Sequence, residues 1–258
     1  MNYKLLFKFA LLAGDIMLKN GAETYRVEDT INRILRTSHF RVIESFVTPT
    51  GIMATLDDPS IDMITYVRRI DKRTINLSKV ELTNDISRQY CQGNLTIEEA
   101  YEELLTVNKK PTYSKITLFI AYGLVAGFFT LVFEGHYLDA IVATVIGCSL
   151  ALIHFLFRRY ELNKFFYDIV GGSVIALMAI LLTKVIPFGM DMNVIIIGSI
   201  MPLVPGVAFT NAIRDTIEGN LVSGVSRAVE ALIVAASIAT GVGVMLKIYY
   251  MLQGGVGL

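Results

Sequence analysis

The stretch Ser199–Asp215, SIMPLVPGVAFTNAIRD, places two prolines three residues apart in an apolar segment long enough to cross a membrane. Pro202 and Pro205 lack a backbone N–H and clash with the preceding helical turn, so each removes one hydrogen bond from a helix. The residue before a proline also avoids the helical conformation. The sequence therefore predicts a helix broken at mid-span, unwound over Met201–Val204, with a new half-helix beginning at Pro205.

The start of this new half-helix is a candidate binding site for an anion. The free N–H groups of Gly206 and Val207 lie at the positive end of the helix dipole, and glycine permits close approach of a ligand. Thr210 and Asn211, one turn further on, could contact an ammonium or hydroxyl group through their side-chain oxygens. Many secondary transporters hold small charged substrates at discontinuous helices. The alternative is a proline kink that neighbouring helices accommodate.

Five apolar stretches occupy the chain after about Pro111. Each has about the 17–25 residues that cross a bilayer as a helix, and they lie at residues 116–133, 138–157, 165–183, 193–213 and 227–246. The 258-residue chain is 53% hydrophobic, yet its first 112 residues have the composition of a soluble protein. We therefore predict a membrane α-helical bundle of five transmembrane helices over residues 113–258, preceded by an N-terminal α+β domain over residues 1–112.

The predicted N-terminal domain combines helical and strand patterns. Residues 3–19 and 24–37 have helical periodicity, and Asn20-Gly21 between them favours a left-handed helix end. A further helix is opened by a capping box between Thr96 and Glu99. Runs of β-branched and aromatic residues predict three strands, at residues 40–47, 50–56 and 61–67.

Composition and motifs argue against several classes of function. The 23 basic and 23 acidic residues cancel, which leaves no basic footprint for nucleic acid. The sequence contains no Gly-rich phosphate loop, nucleophile elbow, CxxC or HExxH motif, so we expect no cofactor. Its three histidines are dispersed, so we expect no metal site. Cys91 and Cys148 lie in different predicted environments, which indicates a reducing compartment rather than a disulfide.

Loop charges predict the orientation. The ends of the predicted spans carry two cations on one side, Lys184 and Lys247, and eight on the other: Lys109, Lys110, Lys115, Arg158, Arg159, Lys164, Arg214 and Arg227. Short loops rich in Lys and Arg stay in the cytoplasm. The N-terminal domain is therefore predicted to be cytoplasmic, the C-terminus outside, and the protein a multi-pass component of the plasma (inner) membrane.

Ionisable residues near the span ends form a second candidate site. Asp168 and Glu230 begin the third and fifth predicted spans, and a charge within hydrocarbon costs about 2.5–3.5 kcal/mol on insertion scales. Together with Arg214, Asp215 and Arg227 they could form a charged ring at the inner mouth of a transport path and couple transport to an ion. The alternative places them at headgroup level, paired along one helix or snorkelling.

The segment NGAETYRVED, residues 20–29, is the sharpest polar feature of the predicted soluble domain. Glu23 and Arg26 are one helical turn apart, and the acidic residues that follow extend a charged surface at the start of the second helix. A solvated helix face with acidic groups near its N-terminus is the simpler interpretation. A role in binding or gating is the alternative.

Three segments together resemble the threonine/serine exporter family: PLVPGVAFTNAIRDTIEGNLVSGVSRAVEAL (residues 202–232), NGAETYRVEDT (residues 20–30) and SFVTPTGI (residues 45–52). The resemblance covers nearly the whole chain and is to the larger component of the split form, in which a soluble domain with one set of spans works beside a small membrane subunit. It implies efflux of a small carboxylate-bearing metabolite, either threonine and serine or a dicarboxylate such as succinate. It also implies a small integral-membrane partner, self-association, or both.

Two other classes of function are weaker. A membrane-bound hydrolase acting through the cytoplasmic domain needs a nucleophile and a base within hydrogen-bond reach, and the sequence has no recognisable local signature for that pair. A non-transporting regulatory or scaffold subunit would have little use for a double-proline break followed by polar residues. We therefore predict a subunit of a secondary exporter rather than an enzyme.

Overall fold

The computed structural model describes residues 2–110, 113–160, 162–185 and 190–253. Its elements in chain order are α1 (Tyr3–Lys19), α2 (Thr24–Arg36), β1 (Val42–Thr48), β2 (Gly51–Asp58), β3 (Ile61–Arg69), α3 (Leu77–Cys91), α4 (Ile97–Lys109), α5 (Lys115–Val132), α6 (Tyr137–Arg159), α7 (Lys164–Val185), α8 (Met192–Ile200), a 3-10 turn (Met201–Leu203), α9 (Gly206–Ile217) and α10 (Leu221–Leu252).

The chain forms two compact units. The first unit comprises Met1–Thr112 together with Gly206–Val229, and the second comprises Tyr113–Pro205 together with Glu230–Leu258. The segment Gly206–Val229, which the sequence pattern assigns to the membrane domain, thus packs with the N-terminal domain. α9 and the start of α10 are therefore described here with α1–α4.

The first unit is built around α1. This helix is apolar on most of its surface and buries 11 of its 17 residues, and a helix that is hydrophobic nearly all round belongs inside a core. α2 approaches it closely at Gly14, where an added Cβ would lie 2.6 Å from the side chain of Ile31. The core of this unit joins α1 and α2 to the inner face of the sheet and to α3 and α4.

The sheet is an antiparallel meander in the order β1-β2-β3. Its register pairs Ile43 with Leu56 and Leu56 with Ile64 on the inner face, where Leu56 is fully buried. The three strands lie within two residues of the predicted ranges. The alternation of side chains between the two faces follows from the two-residue period of a strand.

Two local predictions for the first unit are confirmed. The backbone N–H of Thr96 donates to Glu99 Oε2 at 2.8 Å and the N–H of Glu99 donates to Thr96 Oγ1 at 3.3 Å, which is a reciprocal capping box. Gly21 has φ of +95°, the left-handed conformation expected after α1. Both signals depend only on neighbouring residues, which is why the sequence reveals them.

The second unit packs its helices closely at small residues. An added Cβ at Gly147 of α6 would lie 2.5 Å from the carbonyl oxygen of Tyr122 in α5. At Gly172 of α7, it would lie 2.7 Å from the carbonyl oxygen of Ile238 in α10. Small residues let backbones approach closely where helices associate in membranes. Gly172 is therefore a close-packing residue of the second unit.

Among the described residues, four helices are long and apolar enough to cross a membrane: α5, α6, α7 and α10. A fifth span results if Met192–Leu203 and Gly206–Ile217 cross as one broken pair. The chain is mostly helical, with one small sheet. These features agree with the predicted multi-pass membrane helical bundle, and the division into domains stays a prediction.

The orientation can be tested at the two ends of α6. Tyr137 and Tyr160 flank this helix and are 71% and 63% exposed. In a chain whose two cysteines are replaced by serine, we expect Tyr137→Cys to react with a membrane-impermeant maleimide on intact cells, because the charge bias predicts that this end of α6 lies outside. The control Tyr160→Cys should react only after permeabilisation. The reverse pattern would show that the orientation is inverted.

Candidate functional site

The first turn of α2 is capped by a carboxylate from far along the chain. Glu23 precedes α2 and makes no side-chain cap of its own. Instead, Asp215 Oδ1 accepts two hydrogen bonds of 2.9 Å, from the backbone N–H and from the hydroxyl of Thr24. A carboxylate here satisfies a free N–H group and faces the positive end of the helix dipole. These bonds fix α9 to α2 within the first unit.

Arg227 balances the charge of Asp215. Arg227 Nε lies 3.1 Å from Asp215 Oδ2, and the two side chains are 7% and 0% exposed. Arg227 Nη2 also donates to the carbonyl of Ala22 at 2.8 Å. A charge taken out of water needs both an opposite charge and hydrogen bonds, and this pair has both. The start of α10 is thus bound to the same loop as α9.

Glu23 joins two arginines. Its Oε1 lies 2.6 Å from Nη1 of Arg214, and its Oε2 lies 3.1 Å from Nη1 of Arg26. Glu23 is only 4% exposed, so the interpretation of this residue as part of a solvated surface is wrong. Burial opposes its ionisation, but its own backbone N–H and the two arginines outweigh burial and lower the pKa of Glu23. We call Glu23, Thr24, Arg214, Asp215 and Arg227 the charged junction.

Asn211 adds an uncharged bond beside the charged junction. Its Nδ2 donates to the carbonyl of Gly21 at 2.8 Å, and its side chain is buried. The left-handed conformation of Gly21 presents that carbonyl. Thr210, the preceding residue of α9, is exposed, so the two side chains do not face the same way. The contact of Thr210 and Asn211 with a substrate stays a prediction.

The five residues of the predicted charged ring are divided between the two units. Arg214, Asp215 and Arg227 come together in the charged junction. Asp168 and Glu230 belong to the second unit, and the ring that would join all five stays a prediction. Arg227 forms an ion pair with Asp215 on a different helix. The alternative of pairing along one helix stays a prediction.

Asp168 is a buried carboxylate of the second unit, next to Tyr167 on α7. Asp168 is 1% exposed, and its Oδ2 has no hydrogen-bond partner among the described residues. The neighbouring ring of Tyr167 packs against His154 at 5.5 Å, and His154 packs against Tyr122 at 5.7 Å. No group of three His, Cys, Asp or Glu side chains within the described ranges could hold a metal ion.

The break between α8 and α9 differs in detail from the prediction. Met201, with φ −53° and ψ −37°, is helical, and Met201–Leu203 forms a 3-10 turn. Only Val204 is extended, with ψ 127°, so the unwound segment predicted over Met201–Val204 is wrong at its first three residues. The N–H of Met201 bonds the carbonyl of Gly198, and the N–H of Val204 bonds the carbonyl of Met201. Tightening the helix supplies the donors that the prolines lack.

The N-terminus of α9 is open. α9 begins at Gly206, one residue after the predicted start at Pro205. Apart from the adjacent residues and the nearby backbone of α9, no heavy atom of the described residues lies within 4 Å of a Cβ added at Gly206. The other end of α9 is fixed by the charged junction. Gly206 and Val207 therefore present free N–H groups from a half-helix whose far end is held in place.

Sequence reasoning missed Thr24 and the carbonyls of Gly21 and Ala22. Thr24 is the first residue of α2, and its side chain and N–H are capped by Asp215 instead of capping the helix themselves. The partner is 191 residues away, so no local spacing identifies it. The backbone carbonyls carry no sequence signal at all.

Comparison with known proteins places the chain in a family. Residues 8–249 match the family described as "Putative threonine/serine exporter". The chain belongs to this exporter family. No solved structure matches the chain.

The chain is similar to relatives of about its own length and to relatives about twice as long. The chain is 21% identical to the "Probable threonine/serine exporter" of Mycobacterium tuberculosis, over 90% of this chain and 44% of that protein. It is 20% identical to the "Threonine/serine exporter" of Corynebacterium glutamicum, over 96% of this chain and 52% of that protein. It is 23% identical to the "Probable succinate transporter subunit YjjP" of Klebsiella aerogenes, over 89% of this chain and 88% of that protein. The chain thus spans about half the length of the two threonine/serine exporters and most of the succinate transporter subunit.

Neutralising Asp215 should open the start of α2 in this exporter-family chain. Asp215→Asn leaves Arg227 buried without its counter-charge, an effect of about 3–5 kcal/mol. We expect hydrogen exchange of the first amides of α2 to accelerate by roughly two orders of magnitude or more. Glu218→Gln, which removes an exposed carboxylate just after α9, is the matched control. Equal exchange in both variants would contradict the structural role of the Asp215–Arg227 pair.

Glu23 should make stability depend on pH in the acid range. Because its folded pKa is lowered from an ordinary 4.5, the ionised form stabilises the fold above that value. This contribution is lost as the pH falls through the folded pKa. We therefore expect the melting temperature of wild type to exceed that of Glu23→Gln at neutral pH, and the difference to shrink as the pH falls below about 4.5. The exposed Glu44→Gln is the control; a difference for Glu23→Gln that persists unchanged in acid would contradict the assignment.

Proposed function

We propose that this chain is a subunit of a secondary exporter that moves a small carboxylate-bearing metabolite out of the cell. The cargo would be an amino acid such as threonine or serine, or a dicarboxylate such as succinate. Membership of the exporter family supports a membrane exporter, and the printed names of the relatives support these two substrate classes. The observation that carries the proposal is the open N-terminus of α9 after the double-proline break.

The substrate carboxylate would bind at the start of α9. The N–H groups of Gly206 and Val207 have no intrahelical acceptor, because the first four N–H groups of a helix lack one. An anion at this position gains about 0.3–2 kcal/mol from the helix dipole. The absence of a side chain at Gly206 lets an anion approach the backbone, and no neighbouring group among the residues that the structure describes occupies that space within 4 Å. Thr210 is exposed one turn later on α9 and offers a hydroxyl.

The charged junction would act as the anchor of this half-helix. Glu23 and Thr24 hold Arg214 and Asp215 at the C-terminal end of α9, while its N-terminal end faces the break. A rigid half-helix orients its N–H groups before the substrate arrives, and such preorganisation reduces the entropy lost on binding. The soluble part of the chain would thereby control the position of the substrate-binding backbone.

Asp168 and Glu230 would couple transport to an ion. Asp168 is buried within α7 with a carboxylate oxygen that has no hydrogen-bond partner among the described residues. Glu230, half-buried in α10, also belongs to the second unit. An ionisable side chain inside a membrane helix marks an ion or proton path in many transporters. In this proposal the N-terminal domain is cytoplasmic and the C-terminus lies outside.

A small integral-membrane partner would complete the exporter. The relatives that the chain matches over most of their length are named as transporter subunits, whereas the two threonine/serine exporters are about twice as long as the matched region. The test is to reconstitute the chain and its candidate partner in liposomes and measure efflux of preloaded threonine, serine and succinate, omitting each component in turn. Efflux that needs both components is expected. Efflux by the isolated monomeric chain would contradict the need for a partner, and no efflux of any of the three would contradict the substrate class.

Substitutions at the break should separate a substrate site from a packing kink. Pro205→Ala lets the helix partly re-form and withdraws the free N–H groups, whereas Gly206→Val fills the space that the carboxylate would occupy. We expect both to reduce substrate binding and efflux by about tenfold or more at equal membrane abundance, since each 1.4 kcal/mol corresponds to tenfold.

The matched control at the break is Val204→Ile, which enlarges a side chain that is 43% exposed and leaves both prolines in place. Leu203 is unsuitable as a control, because its side chain is only 6% exposed and lies next to Gly171, where a substitution would disturb the packing of the second unit. If Pro205→Ala and Gly206→Val behave like Val204→Ile, the break is a packing kink and the substrate site lies elsewhere.

A further inference from the structure

A polar cavity of about 220 Å³ lies between α2 and α3 in the first unit. It is distinct from the start of α9, because none of its lining residues belongs to α9 or α10. The residues that matter for its chemistry are three arginines, one carboxylate and two small polar side chains: Arg26, Arg33, Arg88, Asp29, Asn84 and Ser87.

Helical spacing explains why these side chains share one cavity. Arg26, Asp29 and Arg33 follow one another at three and four residues along α2, which places them on one face. Asn84 and Arg88 are four residues apart on α3 and lie on one face for the same reason. The two faces line the same space, so the guanidinium groups approach it from two helices.

The cavity wall carries more positive than negative charge. Arg33 is paired with Asp29 at 2.7 Å, and Arg26 is paired with Glu23 at 3.1 Å. Arg88 makes no ion pair with any residue that the structure describes. Three arginines and one aspartate line the wall, so its formal charge is 3 − 1 = +2 before Glu23 is counted. Ser87, 1% exposed, adds a hydroxyl to the wall.

We propose that this cavity binds a small dianion, either a short dicarboxylate or inorganic phosphate. Guanidinium groups bind carboxylate and phosphate oxygens through two parallel hydrogen bonds, and such charge-assisted bonds are among the strongest in proteins. Guanidinium groups that reach the cavity from two helices can bind two separate carboxylates or one doubly charged group. A zwitterionic amino acid fits poorly, because its ammonium group would lie among the arginines. The proposal stands independently of whether the chain exports anything.

Glu23 competes with the dianion for Arg26. The carboxylate of Glu23 holds this guanidinium from the side of the charged junction. Removing the negative charge of Glu23 leaves Arg26 available to a ligand and makes the cavity more positive. Glu23→Gln should therefore bind the dianion more tightly than wild type, the opposite of what an arginine substitution does.

The experiment is isothermal titration of the full chain in lipid nanodiscs with succinate, inorganic phosphate and threonine, at neutral pH and low ionic strength. We expect saturable binding of at least one dianion, and weaker binding of threonine. Arg88→Gln should weaken binding of the dianion by about tenfold or more, because hydrogen bonds to charged groups contribute about 1.5–3 kcal/mol. Arg36→Gln is the matched control, since Arg36 is an exposed arginine at the end of α2 that does not line the cavity.

The titrations distinguish a dicarboxylate from inorganic phosphate as the ligand, and they include results that would contradict the proposal. Binding of succinate or phosphate that is weakened by Arg88→Gln, unaffected by Arg36→Gln and strengthened by Glu23→Gln supports the site, and the tighter probe identifies the source. No saturable binding of either dianion overturns the proposal. So does equal binding in Arg88→Gln and Arg36→Gln, or threonine binding as tight as that of the dianions.

Discussion

The first unit depends on how a single buried carboxylate is neutralised. Asp215 is fully buried, and its charge is met by the guanidinium of Arg227, by the hydroxyl and N–H of Thr24, and by the dipole of α2. Burying an ion pair contributes little to stability by itself, because desolvation offsets the attraction. Its effect is to specify geometry: any displacement of α9 from α2 would leave at least one charge without a partner in a poorly solvated place.

That constraint gives α9 two different ends. Near its C-terminus, Arg214 and Asp215 are bound to the loop between α1 and α2, and Asn211 is bound to Gly21. At its N-terminus, no heavy atom from elsewhere in the described part of the chain lies where a side chain at Gly206 would stand. One end of the helix is thus determined by electrostatics within the protein, and the other is left free to meet something outside it. This asymmetry links the polar segment of the N-terminal domain to the double-proline break, two features that are far apart in the sequence.

Local chemistry explains which parts of this arrangement a sequence can reveal. The break follows from the covalent structure of Pro202 and Pro205, and the capping box follows from residues three positions apart, Thr96 and Glu99. The 3-10 turn at Met201 was not predictable in the same way. It forms because the carbonyls of Gly198 and Met201 accept hydrogen bonds from the N–H groups three residues later, in place of the donors that the prolines lack. The burial of Glu23 was missed for a different reason: its acidic side chain appears solvated until Arg214, 191 residues away, is placed beside it.

The distance along the chain between Thr24 and Asp215 also has a consequence for biosynthesis. Helices α1 to α4 are synthesised long before α9 and α10. During that time the first turn of α2 lacks its cap from Asp215, and Glu23 remains in water. Closing so long a loop has a modest entropic cost, which grows only with the logarithm of its length, but non-local contacts of this kind slow folding. Helices α5–α8 of the second unit are synthesised in the interval, between the two parts of the first unit. The completion of the first unit therefore follows the synthesis of α5–α8, because Asp215 leaves the ribosome after them.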